Sequence, residues 1–95
     1  MKPKREETIM QTENVFETPD LYLSSAIVMI LKVEPSYTVR NDKTFFCFPV
    51  SDALYKTMGA YNAGRALCAI EYADTIKRLR AEMLLRRKAG YTHAK

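Results

Sequence analysis

The spacing of apolar residues changes repeatedly along this chain, and each change predicts an element. Residues 1–17 are charged and aperiodic, which predicts a mobile N-terminal arm; Asn14-Val15-Phe16-Glu17 can add a short strand there, with Phe16 as its anchor. At Thr18-Pro19-Asp20 a helix start is expected, with Thr18 as N-cap, Pro19 in the first helical position and Asp20 against the positive end of the dipole. The following LYLSSAIVMIL has no charge before Lys32; Leu23, Ala26, Ile27, Ile30 and Leu31 share a face, and Val28 and Met29 lie partly off it. A helix apolar on most sides belongs at the centre of a domain or in a subunit interface. Pro35 argues against helix beyond Lys32.

Ser36–Arg40 and Thr44–Phe48 then alternate as strands about the turn residues Asn41-Asp42-Lys43 and predict an antiparallel hairpin. Alternation sets Phe46 and Phe48 on one face and Phe45 and Cys47 on the other. Two strands alone are marginal, so the second face calls for the arm, a third strand or another subunit. After Pro49, Ser51 or Asp52 caps a helix through Leu54, Tyr55, Met58 and Tyr61, and Asn62-Ala63-Gly64 stops it. The last helix is expected from about Ile70 to about Lys88, with Tyr72, Ala73, Ile76, Leu79 and Met83 as its apolar stripe. Glu71, Asp74 and Glu82 stand at pairing distance along it from Arg78 and Arg86, and Gly90 is the expected stop. The sum is an α+β domain at 18–89, ordered helix, β-hairpin, helix, long C-terminal helix, with the arm 1–17 before it and a polar tail 90–95 after it.

Composition narrows the class. A chain of 95 residues fits one domain with a modest core, and 47% hydrophobic with 27% charged residues is ordinary for a soluble globular protein. The formal charge of +4 is uneven: residues 1–20 carry three Lys/Arg against five Asp/Glu, whereas residues 70–95 carry seven against three. No signal-peptide core follows the basic start, and the apolar run Leu21–Leu31 is too short for a bilayer, so a cytoplasmic place without membrane contact is expected, in a cell or a virus-infected cell.

Few residues carry candidate chemistry. Cys47 and Cys68 form no CxxC, His93 has no evident ligand partners, and no phosphate loop, HExxH or GxSxG occurs; no catalytic residue, metal ligand or cofactor is expected, and the chain reads as a non-enzyme. Tyr55, Tyr61 and Tyr72, at helical spacing beside apolar neighbours, read as core-edge residues rather than stacking platforms. Arg80, Arg86, Arg87 and Lys88 form the candidate phosphate-contacting patch, although cations at a helix C-terminus are also favoured by the dipole alone.

The pieces T-P-D-L-Y-L-S-S-A, F-C-F, A-Y-N-A-G-R-A-L and E-Y-A-D-T-I-K-R-L-R, in that order over Thr18–Arg80, resemble a small uncharacterised family of prokaryotes and their phages known only as a domain of unknown function. The resemblance covers about two thirds of the chain. It departs from the family at Pro49, where acidic residues are expected, and in the basic extension Ala81–Lys88. It implies the helix–hairpin–helix–helix layout and a phage or mobile-element setting, and it supplies no functional residue.

Two functions are therefore expected. The first is a small non-enzymatic accessory protein acting through protein–protein contacts as a homo-oligomer, with Val28, Met29, Phe45 and Cys47 as interface candidates. The second is a nucleic-acid-binding accessory factor using Arg80, Arg86, Arg87 and Lys88.

Overall fold

In the computed structural model, residues 14–93 are described, with side chains to residue 88. Most of the predicted arm and the end of the tail lie outside the described residues. The elements are β1 (Val15–Thr18), α1 (Leu21–Leu31), β2 (Ser36–Arg40), β3 (Lys43–Pro49), α2 (Asp52–Asn62) and α3 (Ala69–His93). This is the expected α+β order of helix, hairpin, helix and long helix, with one strand added in front.

Strands β2 and β3 form the hairpin, closed at Arg40↔Lys43 by Asn41 and Asp42 with φ of 53° and 64°. Two left-handed residues give a turn whose twist matches that of the flanking strands, and Asn and Asp tolerate that conformation better than other non-glycine residues. Strand β1 lies antiparallel on the other edge of β3, from Val15↔Pro49 to Thr18↔Phe46, so the sheet order is β1-β3-β2. The short strand expected at Asn14–Glu17 is thus a member of the sheet, one residue later at Val15–Thr18, and Phe16 packs against the core as expected.

Strand pairing also moves the start of α1. Thr18 belongs to β1, where its hydroxyl accepts from Asp20 N–H at 3.1 Å; the N-cap is Asp20, whose carboxylate accepts from Leu23 N–H at 3.0 Å. Helix α1 begins two residues later than the Thr18 cap predicts. It ends at Lys32 in the left-handed region (φ 59°), whose N–H donates to the Val28 carbonyl. Leu21, Ser24, Ser25, Ala26, Ile27 and Val28 are all buried, and Tyr22 is the one exposed residue of the helix. Helix α1 is therefore the central helix, packed on both α2 and α3. Leu21, Ile27 and Val28 share one cluster with Phe46 and Phe48 of the sheet, Leu54 of α2 and Leu79 of α3. The inner sheet face is thus covered by helices.

Helix α2 is capped by Ser51, whose hydroxyl accepts from Leu54 N–H at 3.0 Å. It is closed by Gly64 at φ +87°, with Gly64 N–H donating to Tyr61 O and Arg65 N–H to Ala60 O. That pair of bonds is the Schellman arrangement, which satisfies carbonyls the helix end would otherwise strand. Tyr55, expected at the core edge, is 55% exposed; Leu54 and Thr57 are the residues α2 buries. Helix α3 runs over 25 residues, past Gly90, which does not end it.

Candidate interaction surface

Helix α3 turns one face to the protein and one to solvent. Leu79 is fully buried, and Ile76 and Met83 pack beside it against the core. Tyr72 is half-buried, and Ala73, expected in the same stripe, is exposed. At 100° per residue, Ile70, Lys77 and Leu84 point away from Leu79. Ile70 is 74% exposed, Leu84 48% and Leu85 60%. The outward face therefore mixes apolar residues with Asp74, Lys77 and Arg80, all exposed. The signal was present in the sequence: Ile70 and Leu84 stand on the side of the helix opposite its apolar stripe.

The basic patch is partly taken up in internal contacts. Arg80 and Lys88 are exposed. Arg86 donates to Glu82 at 3.2 Å and lies over the Tyr37 ring, 4.7 Å from its centroid. Arg87 is half-buried, and its Nε is enclosed without a hydrogen-bond partner among the described residues. The four cations do not form one open surface. Burial is the chief reason that the Tyr37 phenol is raised above its usual range, with Glu82 and Glu34 adding to it.

The four interface candidates also separate. Val28 belongs to the core, and Cys47 is buried with its thiol 3.5 Å from the Thr38 hydroxyl. Phe45 is half-buried beneath Arg40, whose guanidinium stands 4.2 Å from the ring centroid and donates to Glu17 of β1 at 2.8 Å. The outer sheet face, expected to need a cover, thus has a cation–π contact and an ion pair across it. Met29 stays half-exposed and floors, with Val28, an open groove of about 470 Å³ between α1 and α3. Lys32, Glu34, Glu71, Asp74 and Arg78 rim this groove. Arg78 pairs there with Glu34 through two bonds of 2.8 and 3.1 Å, rather than with the acids of its own helix. That bidentate bond is the first cause raising its pKa.

Where α1, α2 and α3 meet, the Tyr72 hydroxyl donates to the Tyr22 carbonyl at 3.0 Å. Burial, followed by a hydrogen bond with Tyr61, pushes the Tyr72 phenol up to about 12. Cys68 is exposed nearby in the chain, at the start of α3, and its carbonyl accepts from Tyr72 N–H. Among the described residues no group of three or more His, Cys, Asp or Glu side chains is placed to hold a metal ion. None of their helices is long and apolar enough to cross a membrane. Compared with protein-family models, curated proteins and solved structures, the chain finds no match.

Proposed function

We propose that this chain is a small non-enzymatic accessory protein that acts through protein–protein contacts as a homo-oligomer. One observation carries the proposal: Ile70, Leu84 and Leu85 are 74%, 48% and 60% exposed along the outward face of a helix whose inner face is packed. Scattered exposed apolar residues are ordinary, but here they recur on one side of one rigid element. The interface thereby shifts from Val28, Met29, Phe45 and Cys47 to the outside of α3. A phage or mobile-element setting follows from the family resemblance alone, and a cytoplasmic place from the sequence alone. Light scattering coupled to size exclusion at high micromolar concentration tests the oligomer. A dimer or larger species is expected, and a strict monomer overturns the proposal.

Nucleic-acid binding is the second function, supported by the exposure of Arg80 and Lys88 beside Lys77 on the outward side of α3. Phosphate contacts of this kind are weak and fall steeply with salt. A titration with a short duplex at low and moderate salt tests it; no binding at low salt overturns it.

A further inference from the structure

We infer that β2 pairs antiparallel with β2 of a second copy about a two-fold axis at Thr38; this rests on the homo-oligomer proposed above and adds a contact on a different element from α3. The parity of the sheet leads to it. Val50 N–H donates to Asn14 O at 2.8 Å, one step beyond the Val15↔Pro49 pair, so Phe48 and Phe46 of β3 are the residues bonded to β1. Lys43, Phe45 and Cys47 are then bonded to Arg40, Thr38 and Ser36 of β2, as the tight turn between Arg40 and Lys43 also requires. The N–H and C=O of Tyr37 and Val39 therefore point off the free edge of the sheet, where nothing among the described residues pairs with them. Edge strands are commonly guarded by a charge, a proline or a bulge. Strand β1 carries Glu17, whereas Tyr37, Thr38 and Val39 are uncharged, half-buried and strand-forming.

The register follows from which residues can bond. Antiparallel strands exchange hydrogen bonds only where two edge-pointing residues face each other. With Tyr37 facing Val39 of the second copy, both residues of each strand donate and accept. A two-fold at Tyr37 would set Val39 against Pro35, which has no N–H, and one at Val39 would set Tyr37 against Asn41 in the turn. The axis therefore falls on Thr38. The side chains agree with it. Tyr37 and Val39 lie on the helix side, opposite the buried Phe46 and Thr44, so each tyrosine ring meets a valine of the second copy. Thr38 lies on the outer face and meets its own counterpart, and Arg40 faces Ser36, so no like charges oppose one another. Aromatic with β-branched and threonine with threonine are favourable cross-strand pairs. The flank of α3 toward β2 carries Arg78 bonded to Glu34 and Arg86 bonded to Glu82, so it brings no net charge to the axis. A second copy suits this edge because the strand complements itself, which a closed two-fold contact requires. A contact built on a strand of five residues is small, so the dimer is weak and concentration-dependent.

Sedimentation velocity over a concentration series tests the register. Thr38→Lys and Thr38→Glu each set like charges against one another at the axis, and each weakens association about tenfold. An equimolar mixture of the two variants sets opposite charges there and returns association to near the wild-type level. Val39→Pro removes a donor that the single chain leaves unpaired, deletes a bond on each side of the axis and weakens association roughly thirtyfold. Circular dichroism verifies that each variant folds, and the Thr38 variants carry the test should Val39→Pro not fold. A wild-type dimer indifferent to all three substitutions overturns the β2 contact while leaving the homo-oligomer standing. Weakening by Thr38→Lys and Thr38→Glu without rescue in the mixture, or growth beyond a dimer through this edge, is the mark of β2 seated on β1 and overturns the two-fold. A strict monomer overturns both the homo-oligomer and the contact, and leaves the edge to a strand of another protein.

Discussion

The buried hydroxyl of Thr44 donates a 3.0 Å hydrogen bond to the carbonyl oxygen of Met83, tying the start of the central strand to the middle of the longest helix. The two residues are 39 positions apart, and the bond fixes how far α3 slides along the sheet. Thr44→Val keeps the shape and removes the donor. It is expected to lower stability by about 1 kcal/mol. The measurement is a urea midpoint that falls with an unchanged slope.

The two faces of α3 should respond oppositely to truncation. Leu79 is fully buried among the core side chains, so Leu79→Ala should destabilise by about 2–5 kcal/mol. Leu84→Ala, on the outward face, should stay within about 0.5 kcal/mol at dilute concentration, where only the monomer is present. Chemical denaturation of both variants side by side checks this. Equal losses would place Leu84 in the core.

Two glycines of the same region differ in what they do. Gly64 has φ +87°, so an alanine there is strained although its Cβ meets nothing within 4 Å. Gly64→Ala should therefore cost about 1–2 kcal/mol. Gly59 lies inside α2 with open space at its Cβ position. Gly59→Ala should stabilise by about 0.5–1 kcal/mol. Thermal melts of the pair should shift in opposite directions.

Alkaline pH should weaken the junction of the three helices. The Tyr72 phenol is raised to about 12, chiefly by burial, against an ordinary value of 10.0. A raised acid favours its neutral form in the folded state. Its contribution is complete below the unfolded value and is lost as pH rises through the window between the two. Stability should thus fall from about pH 10 to about 12, and Tyr72→Phe should flatten that part of the profile. Denaturation at a series of alkaline pH values measures the difference. An unchanged slope in Tyr72→Phe would show that other groups cause the fall.

Local chemistry made much of this fold legible. Asn41-Asp42 announces its turn, Gly64 its helix stop, and an uncharged Leu21–Leu31 its central place. The departures arise where distant residues compete with local preference. Thr18 is a good cap, but pairing with Phe46 draws it into β1, and the cap passes to Asp20. Arg78 has acids at helical spacing, yet Glu34, 44 positions away, offers it two parallel bonds. Gly90 disfavours helix by only about 1 kcal/mol, too little by itself to stop one. The candidate surface was less legible, because Val28 and Cys47 look available until the fold buries them. Ile70 and Leu84 could be found from the helical period alone, but their exposure depends on which side of α3 meets the sheet.

The seating of β1 beside β3 has a consequence for the order in which the chain assembles. Val15–Thr18 pairs with Phe46–Pro49, on the far side of both α1 and β2 in the sequence. On a ribosome adding about 5–20 residues per second, the first strand waits several seconds for its neighbour. During that interval α1 and the β2–β3 turn can form from contacts close in sequence, whereas β1 must close a long loop before it gains any bond. The first strand made is therefore among the last to be seated, and late-arriving, loop-dependent pairings of this kind are the ones a growing chain can exchange with a neighbour.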